Sequence, residues 1–325
     1  MPETLLSATE AQPAVARPLL DDLIRRARER AASTPQRIAL VYPCDGAAMN
    51  AAARILDEGL AVPVLVGPRD AVADAARAAG LDLARFEMVD VDDAPGAASA
   101  AARTAVALAR EGRVSALMKG SLHTDELMSA AVDRACGLRN SRRISHVFLF
   151  DLPRFPKLLG LADCVVNIAP DLLTKRDIVG NAVELLQTLG TARPKVGILA
   201  AVESVNPAIQ ATLDARALVE LAKDGAWPGA VVEGPFGFDN AISAEAARVK
   251  KIESQVSGDA DLLLVPDLNS GNMLYKSFNY LGGGEGAGLV LGARVPIVLT
   301  SRADSLVSRI ASVALAVLAM PPSEG

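Results

Sequence analysis

Apolar residues along the chain fall into two alternating patterns. Short continuous runs rich in Val, Ile and Leu recur at 37–43 (RIALVYP), 62–67 (VPVLVG), 114–119 (VSALMK) and 146–152 (HVFLFDL). They continue at 195–201 (KVGILAA), 230–233 (AVVE), 261–266 (DLLLVP) and 295–300 (VPIVLT). Unbroken runs of this length predict strands buried on both faces. Between them lie Ala-rich amphipathic stretches, at 47–58, 71–79, 97–110 and 171–189, which predict helices. Strand alternating with helix predicts an α/β fold with a mainly parallel sheet. Gly, Pro or Asp punctuates many strand ends, at 43–46, 67–70, 234–235 and 266–267. In open parallel sheets ligands gather beyond the carboxyl ends of the strands, so these turns are where binding residues are expected.

No fixed-period repeat or low-complexity linker marks a domain seam. Two segments are candidate crossings: the Arg-rich 138–145 (LRNSRRIS) and the glycine-rich 282–288 (GGGEGAG). They suggest a first α/β domain of residues 1–145 plus 290–325, with a second α/β domain, 146–289, inserted into it. The length of 325 residues fits two domains of roughly 150 each. Met1–Arg17 reads as a loose tail.

Composition narrows the function classes. Hydrophobic residues make up 51% and aromatics only 3%, so the core is aliphatic and the chain is not of disordered type. With 33 basic and 38 acidic residues the net charge is −5, and there is no basic, aromatic-laced face of the kind nucleic acid needs. His123 and His146 are the only histidines, too few for an HExxH or three-histidine zinc site, and no metal is expected. Cys44, Cys136 and Cys164 form no CxxC, which suits free, mostly buried thiols in a reducing cytoplasm. No apolar run approaches the roughly 20 residues of a membrane span, and the first residues lack an apolar signal core. A soluble, cytoplasmic protein is expected.

Two strand–turn–helix segments carry candidate chemistry. At 119–125 (KGSLHTD), Gly120 and Ser121 allow a tight turn into a helix over 124–135. Free backbone N–H groups, the helix dipole and Lys119 would together suit an anion, with His123 as a titrating neighbour. The alternative is an ordinary βα turn capped by Thr124. At 300–305 (TSRADS), Ser301 and Arg302 stand at the start of the last helix. Arg302 offers a guanidinium fork for phosphate and Ser301 a donor for a developing oxyanion. Alternatively, Ser301 or Ser305 caps the helix and Arg302 is solvated.

Other motifs are weaker. The glycines of 282–288 satisfy no register of GxGxxG, and they follow a helical stretch rather than a strand. They read as a flexible or closely packed crossing. Asp90, Asp92 and Asp93 read as a solvated strand exit. Asp239 and Asn240, just after a strand in 233–240 (EGPFGFDN), are either a cleft edge or an Asx turn. There is no P-loop, GxSxG elbow or kinase signature.

Seven segments taken in order resemble the phosphate acetyltransferase / phosphate butyryltransferase family. They are 119–127 (KGSLHTDEL), 162–171 (ADCVVNIAPD), 201–207 (AVESVNP), 211–214 (ATLD), 233–243 (EGPFGFDNAIS), 258–273 (GDADLLLVPDLNSGNM) and 291–305 (LGARVPIVLTSRADS). The resemblance spans about residues 37 to 320. It implies reversible transfer of a short acyl group, acetyl first and butyryl as the alternative, between coenzyme A and inorganic phosphate. It also implies a two-domain α/β/α fold like that of isocitrate and isopropylmalate dehydrogenases, with the active site in the interdomain cleft. A homodimer without metal or redox cofactor is implied as well, with coenzyme A entering as substrate. The Ser-Arg pair of the family falls on Ser301 and Arg302. Ser301 is expected to bond the tetrahedral intermediate and Arg302 to anchor coenzyme A or phosphate. Lys119, Gly120, Ser121, His123, Asp239, Asn240 and Asn272 are the expected substrate-binding set.

Two departures stand out. Where acetyl-type members carry an Asp seven residues after the serine, proposed as base for the thiol, this chain has Ser308, and Asp304 is the nearby substitute. Where such members carry a phosphate-binding Arg, this chain reads MSAA at 128–131, and Lys119 is the candidate replacement. The competing readings are a metal- and NAD-dependent dehydrogenase of the same fold and a non-catalytic relative that binds coenzyme A or acyl phosphate.

Overall fold

The computed structural model describes residues 16–301 and 304–320. The expected loose tail therefore lies outside the described residues except for its last two. The chain runs α1 (Pro18–Ser33), β1 (Arg37–Val41), α2 (Gly46–Asp57), β2 (Val62–Gly67), α3 (Arg69–Ala78), β3 (Glu87–Asp90), α4 (Ala97–Arg110), β4 (Ala116–Lys119) and α5 (Thr124–Val132). It continues β5 (Ser145–Asp151), β6 (Leu159–Ala162), α6 (Leu172–Thr188), β7 (Lys195–Leu199), α7 (Gln210–Lys223), β8 (Val231–Phe236), α8 (Phe238–Ile242) and α9 (Ala244–Val249). It ends β9 (Leu262–Leu264), α10 (Leu268–Tyr280), β10 (Glu285–Leu291), β11 (Ile297–Val298) and α11 (Leu306–Ala319).

All strands join one 11-stranded sheet in the order β3-β2-β1-β4-β11-β10-β5-β6-β9-β7-β8. The α/β class with a mainly parallel sheet is what the alternation predicted. The exceptions decide the polarity. β10 is antiparallel to both β11 and β5, and β5 is antiparallel to β6. These reversals make β6, β9, β7 and β8 run opposite to β1, β2, β4 and β11. The carboxyl ends of the two parallel sets therefore point to opposite ends of the strands.

The glycine-rich crossing is closely packed, and most of it is strand β10. A Cβ on Gly286 would lie 2.9 Å from Phe150 Cε1, and one on Gly288 would lie 2.6 Å from Phe148 Cε1. Glycine here makes room for the aromatic side chains of the antiparallel neighbour. β8 also runs on through Gly234 and Pro235, which had read as a turn. β8 is an edge strand, where a missing N–H costs the ladder nothing.

Helix α11 is mostly apolar and buried from Arg309 to Leu318, packed on α1 and β10. Asp151, at the end of β5, accepts from the backbone N–H of Leu19 (2.8 Å) and Leu20 (3.2 Å) and so caps α1 from across the fold. The Arg-rich crossing meets the segment that follows β10. Arg139 forms an isolated antiparallel bridge with Ala293, and Arg294 N donates to Leu138 O at 2.7 Å. The cysteines are free, but only Cys164 is fully buried, since Cys44 is half-buried and Cys136 exposed. Among the described residues no helix is long and apolar enough to cross a membrane.

Candidate active site

β4 delivers Lys119 to the sheet's carboxyl edge, and the turn that follows closes back on β1. Gly120 N donates to Val41 O and Ser121 N to Tyr42 O, both at 2.9 Å. His123 N donates to Glu126 Oε2 at 2.9 Å. Three of the turn's backbone donors, those of Gly120, Ser121 and His123, are thus engaged within the chain. The glycine is needed for approach: a Cβ at Gly120 would lie 2.5 Å from Val41 O. His123, not Thr124, occupies the N-cap position of α5. Lys119 is 8% exposed, its backbone O accepts from Thr300 Oγ1 at 3.3 Å, and its Nζ lies 3.4 Å from Gly120 O.

β11 delivers Thr300 and Ser301 beside this turn. Arg302 lies outside the described residues. Ser305 takes the capping role, accepting from Ser308 N at 3.0 Å, so Ser301 is not the cap of α11. The turn is held from two sides. Asp304 Oδ2 accepts from Ser301 N at 2.6 Å. Buried Arg309 donates to Ser301 O at 2.8 Å and to Asp304 O at 3.4 Å. Ser308 does not reach into this turn; its hydroxyl lies 2.5 Å from Glu285 Oε1.

Helix α10 forms the facing wall. Tyr275 Oη donates to Asp304 Oδ1 at 3.2 Å, and the Tyr275 ring stacks on Phe148 of β5 with centroids 4.3 Å apart and planes at 15°. Burial first, and then the neighbouring Asp304 carboxylate, push the Tyr275 phenol well up from its ordinary value, so it stays a neutral donor. Buried Asp163 shapes the adjacent edge. It accepts from the N–H groups of His146 (3.2 Å), Val165 (2.9 Å), Val166 (3.0 Å) and Asn167 (3.3 Å). Burial pushes the Asp163 carboxyl up, and these donors pull against that shift.

Lys119, His123, Asn272, Ser301 and Asp304 together line one cavity of about 400 Å³. Its apolar wall is Leu122, Phe148, Val165 and Leu299, with the Tyr275 ring stacked beside Phe148. Gly120 and Ser121 are not among its lining residues. Asp239 and Asn240 are elsewhere. They follow β8, whose polarity is reversed, and they group with Glu203 and Lys250: Lys250 Nζ lies 3.2 Å from Glu203 Oε2 and 3.6 Å from Asp239 Oδ2. Asn240 is fully buried there, its Nδ2 3.5 Å from Glu203 Oε2.

Phe148, Tyr275, Lys276 and Tyr280 line the cavity without having been singled out in the sequence. The available signal was scarcity: two of the chain's three tyrosines are here. Chemically, the cavity offers two lysines, several hydroxyls, one carboxylate and an apolar wall. Among the described residues no cluster of His, Cys, Asp or Glu is arranged to hold a metal ion.

Comparisons with known proteins agree on the family. The model for the family described as "Phosphate acetyl/butaryl transferase" matches residues 94–317. A phosphate acetyltransferase of Rhizobium meliloti is 50% identical over 298 residues, 92% of this chain and 92% of that protein. A phosphate butyryltransferase of Clostridium acetobutylicum is 36% identical over 283 residues, 87% of this chain and 93% of the other. Among solved structures, a branched-chain phosphotransacylase from Enterococcus faecalis V583 superposes with a TM-score of 0.76 at 30% identity, covering 87% of this chain and 98% of that one. The chain belongs to the phosphate acetyl/butyryl transferase family.

Proposed function

We propose that the chain catalyses acyl-CoA + phosphate ⇌ acyl phosphate + CoA, with acetyl as the acyl group. The observation that carries this reading is the convergence of Lys119, Ser301 and Asp304 on one cavity that also has an apolar wall. The relative at 50% identity, named a phosphate acetyltransferase, supports the choice of acetyl over butyryl.

Each residue has work suited to its chemistry. In thioester formation the CoA sulfur attacks the acyl carbonyl carbon. Negative charge develops on the carbonyl oxygen, and the C–O bond to phosphate then breaks with its electron pair leaving on phosphate. Ser301 donates to the developing oxyanion, and a positioned donor of this kind is worth about 10²–10³ in rate. Lys119 neutralises the phosphate as a point charge, from a site where little water screens it. Asp304 is the one carboxylate lining the cavity among the described residues, so it takes the thiol proton. His123 and Asn272 supply further donors, and Arg302 a second cation for phosphate or coenzyme A. In this reading the cavity is the cleft between a 1–145 plus 290–325 domain and a 146–289 domain. Gly120 and Ser121 shape the turn between Lys119 and His123, and Asp239 and Asn240 lie outside the cavity. The working form is a cytoplasmic homodimer that engages no nucleic acid or membrane, and sedimentation of the purified chain tests the dimer.

The direct test is incubation with acetyl phosphate and CoA while following thioester absorbance. Saturable thioester formation is expected. No turnover with any acyl phosphate of two to four carbons would sink the reading.

A further inference from the structure

We propose that the stacked pair Phe148 and Tyr275 is the gauge that sets acyl-chain length, an inference that rests on the acyl-transfer reading of the same cavity. The cavity's polar groups, Lys119, Ser301 and Asp304, suit the phosphate and carbonyl ends of the substrate. Its apolar lining, Leu122, Phe148, Val165 and Leu299, is left for the hydrocarbon tail, and the stacked rings of Phe148 and Tyr275 are the bulkiest apolar surface there.

What makes the pair a stop rather than a soft wall is that neither ring can retreat. Phe148 is 8% exposed, and its ring lies so close over Gly288 of the neighbouring strand β10 that even a Cβ there would come within 2.6 Å of it. The imidazole of His146 lies 4.4 Å from it, centroid to centroid, and the Phe150 ring 5.6 Å. Tyr275 is pinned at both ends, by its face on Phe148 and by its hydroxyl on Asp304. Close-packed interiors resist such displacements, so two extra methylenes meet rigid aromatic surface rather than a pliable side chain. The same hydroxyl ties the gauge to the reacting end, because Asp304 also holds the Ser301 N–H.

The test compares kcat/KM for acetyl phosphate and butyryl phosphate in the full chain and in three variants. The unsubstituted chain is expected to prefer acetyl. Phe148→Val and Tyr275→Leu each open this wall, and each is expected to raise the butyryl-to-acetyl ratio by about 10-fold or more, the low end of what a pocket extracts from chain-length differences. Tyr275→Phe keeps the ring and is expected to leave the ratio within about 2-fold of the parent while lowering turnover with both substrates. Near-UV circular dichroism confirms packing in each variant, and two independent openings guard against one failing to fold. Two results overturn the proposal: a parent chain that handles butyryl as well as acetyl, or a ratio unmoved in a folded Phe148→Val or Tyr275→Leu protein. Absence of turnover by the parent with every acyl phosphate would instead remove the acyl-transfer reading, and this inference with it.

Discussion

Replacing Lys119 with methionine removes one charge from the cavity while keeping the length of the side chain. Lys119 is 8% exposed, so its ammonium group has given up most of its hydration. A bound phosphate meets that charge in a poorly screened place. Hydrogen bonds to charged groups are worth about 1.5–3 kcal/mol, which corresponds to a rise of about 10- to 150-fold in the Michaelis constant for phosphate. The assay is phosphate-dependent thiol release from acetyl-CoA, with phosphate varied at constant ionic strength so that screening does not contribute. Lys119→Arg keeps the charge but offers a planar fork in place of a compact ammonium, so partial recovery is expected. A phosphate constant within about 2-fold of the parent in Lys119→Met would refute the assignment.

The remaining predictions concern turnover, stability and pH. Ser301→Ala is expected to lower kcat by about 10²–10³ with little change in either Michaelis constant, because its bond strengthens in the transition state; loss shared equally between kcat and the constants would instead mean plain substrate binding. Lys175 and Asp214 form a buried pair 2.6 Å apart, with side chains 6% and 10% exposed, so Lys175→Met leaves a carboxylate supported only by Gln210 at 2.8 Å. The single change should cost about 3–5 kcal/mol in urea unfolding, while Lys175→Met combined with Asp214→Leu should recover most of it; a single-variant cost below about 1 kcal/mol would contradict this. His146 is fully buried, and burial pushes its imidazole from 6.5 down to about 3, so below pH 6.5 the unfolded chain takes up a proton that the folded chain refuses. Its contribution to stability is complete above pH 6.5 and declines as pH falls towards 3, by about 1.4 kcal/mol per unit. His146→Leu should therefore flatten the stability curve between pH 6 and 4, and identical slopes in the two proteins would show that this imidazole is not responsible.

Local pattern reached some parts of this molecule and not others. Helix α4 occupies the predicted 97–110 because its Ala-rich repeat is bounded by glycines at positive φ, Gly96 and Gly112. β10 was hidden because its glycines serve the rings of β5, a partner far away in sequence. Lys119 and Ser301 were legible as candidates because each lies between a buried strand and a helix, and β4 and β11 are parallel neighbours. Asp239 and Asn240 sit in the same kind of local context after β8. What separates them from the cavity is the reversal at β10, β5 and β6, which no single segment encodes. Tyr275 was silent for a related reason. Helical spacing shows that a residue shares a face with its neighbours, but not whether that face meets core or cavity.

Phosphate, not water, is the acyl acceptor proposed for this cavity. The most direct measurement is thiol release from acetyl-CoA by the purified chain, with and without inorganic phosphate, alongside assay of acetyl phosphate. The account predicts release that saturates with phosphate and matches acetyl phosphate formed one for one. Thiol release that ignores phosphate, or none at all, would contradict it.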